Sequence, residues 1–539
     1  MSILGILVRH RLRRDRWQLA IWVSSTGFLA WFTASAIAST YGDLAGREAI
    51  LRLAVSNPAI LMLRGLPRGA SLDAFVFLQI FTYLALMAAL MSTFLAVRHT
   101  RAEEETGRAE LIAATPAARI SPTVATAIHG VLANVAVGLA VVGGFAAGRL
   151  DPYGSLVAGS AVAATGVSFL AAGLLAAQVM RTSRGANGIA AAAVGAAFLL
   201  RGVGDAAGTP AADGLNLRSS WISWVSPIGW SQHSDAFTAN SWPPLLLNIG
   251  LAGVAGAALF ALQARRDSGA SLLRGRPGRV AAGPALSSPL GLVWRQSTAT
   301  IVGWCLGAAV TGVLAGTLAQ VVVQTISNDS SVGASLQRMV PNDGASMEQL
   351  LVAAMFSMVG VLAVICGAQV IMRMRQDEAG GTAELVLATP YARVRWLADY
   401  LMLGVAAVGL VLLTAAVASS VAGWVANGDR TGIGTSFAAA AAQLPAALIY
   451  LGTLALLFVV LPRATIGLGW ALIAAGVFLG VFGSLSGIPG WVVDLAPFSH
   501  TPVVVGVATD WSGGFWMLAI AVATALLALR LMVRRELLS

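Results

Sequence analysis

The chain contains no lysine; all 34 of its basic residues are arginine. That absence excludes a Walker A phosphate loop, a Schiff-base lysine and a kinase-type lysine. Cysteine is nearly absent as well. Cys305 and Cys366 both fall inside apolar stretches, so they form no disulfide framework or zinc cluster and read as small buried hydrophobes. No metal-ligand cluster, catalytic triad or H-E-x-x-H pattern is found, so catalytic and metal sites are read as none. Charge is scarce: 11% of 539 residues, against about 25% in a soluble protein.

Long apolar runs fill the space. Twelve stretches are about 20 residues or longer, the length that crosses a bilayer as helix. They lie near 17–39, 73–97, 121–147, 153–180, 187–205, 243–264, 294–325, 349–373, 395–424, 435–460, 465–484 and 511–533. The expected fold class is an all-α polytopic membrane protein. Small residues at 34–36 resemble a signal-peptide cleavage site, but the first run is too long for a signal sequence and reads as an uncleaved helix. With both termini inside, the inner segments hold 25 of the 34 arginines. The positive-inside rule then places the termini in the cytoplasm and the protein in the plasma membrane. The net charge of +10 reflects that topology and contact with anionic lipid; no nucleic-acid partner is needed.

One stretch departs from this composition. RAEEETGRAELIAATPAAR (101–119) carries seven charges in nineteen residues. It recurs as RQDEAGGTAELVLATPYAR (375–393), with eleven identities and no gap. Seven charges at mid-bilayer would cost roughly 20 kcal/mol, so both stretches are solvated loops, at 98–119 and 373–395. A weaker echo ends each half, SPIGW (226–230) against APFSH (496–500) and ARRD (264–267) against VRRE (533–536). The chain is therefore read as two six-helix halves, 1–266 and 289–539. They are joined by a Gly-, Ser-, Pro- and Arg-rich linker at 267–288.

Within each loop a glycine turn, Gly107 or Gly381, precedes a short helix. Glu110 or Glu384 sits in its first turn, where the helix dipole favours negative charge. Leu111 and Ile112, or Leu385 and Val386, are apolar on an exposed helix and suggest a docking surface. Thr115–Pro116 and Thr389–Pro390 are expected to cap and open the following membrane helices. Residues 1–17 are expected to form an interfacial helix, with its leucines and isoleucines in the lipid boundary.

The pattern E-E-x-x-G-R-x-E-L-x-x-x-x-P-x-x-R (103–119) resembles the loop after the second helix in ABC-2 type permeases. The fused twelve-helix form resembles actinobacterial antibiotic and multidrug exporters of the tetronasin-resistance type, and the arginine-only composition fits a high-GC genome. The resemblance implies that each loop is a coupling helix for one of two copies of a separate ATPase. The residues concerned would be Glu103, Glu104, Gly107, Arg108, Glu110, Leu111, Pro116 and Arg119, and then Asp377, Glu378, Gly381, Glu384, Leu385, Pro390 and Arg393. ATP and Mg would sit on the ATPase, with no cofactor in this chain. The cargo would be hydrophobic or amphiphilic. Trp22, Phe28, Trp31, Phe81 and Tyr83 would be candidates for its path. In the second loop Ala379 and Thr382 replace Glu105 and Arg108, which puts equal use of the two loops in question.

Other polar groups lie in the runs. His129, Asn134, Gln79 and Gln369 read as helix-packing groups, and Arg201 with Asp205 as a local ion pair. Trp221, Trp224, Trp230 and Trp242 read as an aromatic belt. Gly303/Gly307 and Gly476/Gly480 are GxxxG pairs. Three alternatives stand beside the drug exporter: a lipid or cell-envelope precursor exporter of the same family, a proton-coupled secondary transporter with Asp399 as its acidic candidate, and a non-transport membrane subunit.

Overall fold

The computed structural model describes residues 2–56, 58–265, 281, 283, 288–328, 347–428, 431–482, 489–502 and 510–535. The expected linker 267–288 lies mostly outside them, as do residues 329–346. Two compact units result, Met1–Pro277 and Gly278–Ser539.

The first unit runs α1 (Ile3–Thr40), α2 (Leu44–Ser56), α3 (Pro58–Arg64), α4 (Leu72–Arg98), α5 (Arg101–Glu105), α6 (Arg108–Ala113), α7 (Ser121–Ala147), α8 (Pro152–Val179), α9 (Ser183–Ala206), α10 (Pro227–Gln232) and α11 (Pro243–Arg265). The second runs α12 (Pro289–Asn328), α13 (Met347–Ala379), α14 (Thr382–Leu387), α15 (Arg393–Asn427), α16 (Thr431–Val460), α17 (Thr465–Phe482), α18 (Gly490–Val493) and α19 (Ser512–Met532). A two-stranded ribbon pairs Thr209–Pro210 with Leu217–Arg218. Among the described residues, eleven helices are long and apolar enough to cross a membrane, and a twelfth apolar helix, Thr465–Gly480, is shorter. The chain is thus an all-α polytopic membrane protein, as its hydropathy predicts.

Small residues let the helices approach. In the first unit α1 crosses α7 where Gly27 faces Ala140 and Gly144 faces Ala30; a methyl group on Gly27 would lie 3.0 Å from the Ala140 carbonyl. In the second unit α12 meets α15 the same way, with Gly312 against Ala415 and Gly316 against Ser419. Without a hydrophobic drive between helices in lipid, such close backbone approach supplies the packing energy. Of the two GxxxG pairs, Gly476 and Gly480 pack against Tyr450 and Phe498, whereas Gly303 and Gly307 face open space.

Two expectations are corrected. Residues 3–17 are not a separate interfacial helix. They are the first turns of a continuous 38-residue α1, about 57 Å long at 1.5 Å per residue, which overshoots the ~30 Å hydrocarbon core. Arg11 and Asp15 are buried in the bundle, so this end of α1 is held by protein. Thr115–Pro116 also does not open the third membrane helix. That helix begins at Ser121, with Pro122 in its first turn. The Thr115 hydroxyl instead donates to the Ile112 carbonyl at 2.6 Å and closes α6. Thr389 repeats this on Val386 at 2.6 Å.

Candidate functional site: the two duplicated loops

Each loop turns on a glycine in the left-handed region, Gly107 at φ 72° and Gly381 at φ 71°. A residue with a Cβ is strained there. Each glycine precedes the first residue of a six-residue helix, α6 or α14. Glu110 and Glu384 stand in the first turns of these helices. Leu111 is 73% exposed and Leu385 75%. Arg108, Glu110, Pro116, Glu384 and Pro390 are exposed with them. Two apolar side chains thus point outward from matching short helices.

The foundations beneath differ. In the first unit α4 stops at Arg98, and α5 follows after His99 and Thr100. Glu103 faces inward, with Arg14 at 2.8 Å, Arg11 at 3.6 Å and His99 Nδ1 at 3.4 Å. Arg11 also donates to the Pro122 carbonyl (2.6 Å), the Thr126 hydroxyl (2.6 Å) and the His99 carbonyl (3.2 Å). One guanidinium therefore ties α1 to the end of α4 and the start of α7. Deeper still, Asp15 contacts His99, His129 at 3.1 Å and Arg98 at 3.2 Å. Glu104 pairs with buried Arg101 at 2.6 Å. Arg119 is exposed, and its carbonyl accepts from Gln263 at 3.3 Å. A cavity of about 190 Å³ lies under α6, lined in part by Glu103, Ile112, Gln178 and Gln263.

Asp15, His99 and His129 offer ligand atoms within 4.8 Å of one another, a grouping invisible in the sequence. Three guanidiniums, Arg11, Arg14 and Arg98, face the two carboxylates here. A divalent cation would meet net positive surroundings, and the group closes as an ion-pair network.

In the second unit α13 runs unbroken to Ala379. Asp377 accepts from the Tyr400 hydroxyl at 2.6 Å, and Arg373 donates to Gln296 of α12 at 3.1 Å. Glu378 is buried between Arg375 (3.2 Å) and Arg535 (2.6 Å). Arg535 sits 4.1 Å from the Phe458 ring centre. Arg393 donates to the Arg535 carbonyl at 2.7 Å. The chain's last described residue therefore clips the loop. Asp399 accepts from Tyr391. Burial, then that bond, pushes the Tyr391 hydroxyl pKa up, so it remains a donor.

The expected site residues thus divide in two. Glu103, Asp377, Glu378 and Arg393 anchor the loops from within, while Arg108, Glu110, Leu111, Glu384 and Leu385 are presented outward. Arg11, Asp15, His99, Tyr400 and Arg535 were not foreseen as part of the site. Lone charged or aromatic groups at helix ends were the only signal for them.

The five aromatic path candidates do not come together as a group. Phe81 is buried and stacked on Phe77 at 4.6 Å. Trp22 packs partly buried against the core. Phe28 and Trp31 are exposed neighbours at 5.6 Å. Tyr83 is exposed on α4. The intramembrane polar groups mostly find packing partners: Asn134 with Ser92 (2.8 Å), Gln369 with Trp304 (3.0 Å) and Arg201 with Asp205 (3.2 Å).

Residues 286–532 match the family model described as the C-terminal domain of the multidrug efflux system permease Rv1217c. Over 534 residues the chain is 32% identical to the multidrug efflux system permease protein Rv1217c of Mycobacterium tuberculosis (strain ATCC 25618 / H37Rv). That similarity covers 98% of this chain and 94% of the relative.

Proposed function

The chain belongs to the family of the multidrug efflux system permease Rv1217c, and on that premise we propose that it is the membrane subunit of an ATP-driven exporter of hydrophobic or amphiphilic molecules. Two copies of a separate ATPase dock on it, one on α6 and one on α14. They carry the ATP and Mg chemistry, and this chain contributes no nucleotide site. The loop ends of both units face the cytoplasm, following the arginine distribution. ATPase closure shifts the permease between inward- and outward-facing states. ATP drives that cycle, and cargo is captured through its higher affinity for the inward state, since a ligand moves an equilibrium only by differential affinity.

The observation that carries this reading is the pair of outward leucines. Leu111 and Leu385 each stand about three-quarters exposed on a short helix whose base is held by buried ion pairs. A solvated loop needs neither the apolar tip nor the rigid base. Asp399, the acidic candidate of the secondary-transporter reading, accepts from Tyr391 beside the second loop.

The test is purification of the tagged permease in mild detergent, with subunit counting and an ATPase assay. About two ATPase chains per permease are expected, and none when 101–119 and 375–393 are both scrambled in a folded protein. Recovery of the permease alone, with proton-driven transport in liposomes, would replace this reading with a secondary transporter.

A further inference from the structure

We propose that Glu105 and α9 form a transmission rod that carries displacement of the first loop to short helices at the opposite end of the first unit. The proposal rests on the reading of α6 as an ATPase-docking helix.

The near end of the rod is a carboxylate seated on a helix start. The Ser183 amide donates to Glu105 at 2.8 Å, and the Ser183 hydroxyl donates to its other oxygen. Ser183 is the first residue of α9, after an N-cap Thr182 whose hydroxyl accepts from Gly185 at 3.1 Å. An anion there satisfies an otherwise orphaned amide and meets the positive end of the helix dipole. Glu105 is the last residue of α5, two positions before the turn glycine. Glu105 therefore gives the docking helix a direct polar link to the start of α9, beside the packing of α4 on α9.

The far end is a buried polar socket. α9 has 24 residues, about 36 Å at 1.5 Å per residue. Near its end Arg201 and Asp205 are fully buried and paired at 3.2 Å. Arg201 donates to the Leu61 carbonyl at 3.3 Å and the Met62 carbonyl at 2.8 Å, both in the last turn of α3. Gln232 of α10 donates to Asp205 at 2.9 Å. Between these contacts the backbones touch. A methyl group on Gly202 would lie 2.9 Å from the Met62 carbonyl, and one on Gly204 would collide with Ser223. A buried ion pair is poor at adding net stability but good at fixing one geometry. Here it fixes α9 to α3 and α10.

The second loop lacks the near-end contact, since Ala379 stands where Glu105 does and carries no acceptor on its side chain. Glu105 is thus a positioning residue for transport, and the first loop is the one that moves the far end.

The test uses the co-purified permease–ATPase complex in lipid nanodiscs. Three quantities are compared in wild type, E105A, E105Q and S183P: ATPase copies bound, drug transported per ATP, and the ATP-dependent change in amide hydrogen exchange at 58–64. S183P removes the amide and the hydroxyl yet suits the helix, because proline is favoured at the first helical position and Thr182 is already extended. Wild type is expected to change exchange at 58–64 on binding ATP. E105A and S183P keep both ATPases and most hydrolysis, and lose that change. Their transport per ATP falls at least about fivefold, the low end of an allosteric coupling, while E105Q, still an acceptor, falls between. Wild-type transport per ATP and exchange in both variants would overturn the rod. Loss of the ATPase from E105A would make Glu105 a docking residue, overturning the rod while leaving the proposed function intact. A wild-type permease that binds no ATPase would overturn the function itself.

Discussion

The first and second loops share a surface and differ in what holds it. Above the turn the two copies agree: a left-handed glycine, six helical residues, a first-turn glutamate and an outward leucine. Below it they share the i,i+3 pair, Arg101–Glu104 and Arg375–Glu378, and little else. The first loop stands on arginine, aspartate and histidine from α1, α4 and α7, and its α4 breaks at His99. The second stands on an unbroken α13, with Tyr400 on Asp377 and Arg535 on Glu378. The lesson is that duplication has kept the presented face while the supports diverged. Ala117 of the first loop stands where the second has the hydroxyl donor Tyr391. The supports are therefore where the halves can be told apart by experiment.

The largest contrast lies at the aligned glutamates. Glu378→Ala leaves Arg535 buried without its main partner and should cost about 3–5 kcal/mol, the range for breaking a buried pair. Glu104 is itself part-exposed and its carboxylate is a partner of buried Arg101, so water can replace part of the contact and Glu104→Ala should cost less, about 2 kcal/mol. Denaturant unfolding in detergent measures both, and equal losses would erase the distinction.

Acid should separate the two ends of the first unit. At the end opposite the loop, burial and then the charge of Arg68 push His233 down to about 4, where its ring stacks 4.3 Å from Trp224. A histidine pKa lowered on folding contributes stability that is full above the unfolded value and lost as pH falls through the folded one. The loss between pH 6.5 and 4 is roughly 3 kcal/mol. Asp235, pushed up by burial against the pull of Arg68, gains its proton in the same direction and offsets part of it. Exchange at 221–235 should rise over this window in wild type and stay flatter in His233→Phe.

Next comes the base of the first loop. Asp15→Asn should cost about 2 kcal/mol by weakening charge-assisted bonds to His99 and Arg98, and should raise exchange over 3–20. Tyr400→Phe in the second loop removes one hydroxyl bond and should cost about 1 kcal/mol. The smallest effect tests the likeness. Gly107→Ala and Gly381→Ala should each cost about 1 kcal/mol from backbone strain alone, since nothing lies within 4 Å of either added methyl group. A difference larger than that between the two would mean that the turns are not equivalent.

Much of this was legible in the sequence because hydropathy and charge act locally. The spans follow from run length, the loops from charge that cannot enter lipid, and the Arg201–Asp205 pair from i,i+4 spacing. The supports were hidden because their partners are far apart in the chain: Asp15 is 84 residues from His99 and 114 from His129, and Glu378 is 157 from Arg535. Thr115–Pro116 misled because Thr-Pro satisfies the sequence rule for a helix start, whereas the helix begins at Ser121 behind Ile120, with no side-chain cap. Aromatic content does not reveal which face is inward; Phe81 lies on the core face of α4 with its i,i+4 partner Phe77.

The most direct test of the account counts ATPase chains by native mass spectrometry on Leu111→Glu, Leu385→Glu and the double variant. Both positions are exposed, so folding should be unaffected, which unfolding curves will check. The account predicts two ATPases on wild type, weakened binding in each single variant and none on the double. A folded double variant that still carries two ATPases would contradict it, and the exposed leucines would have no role in docking.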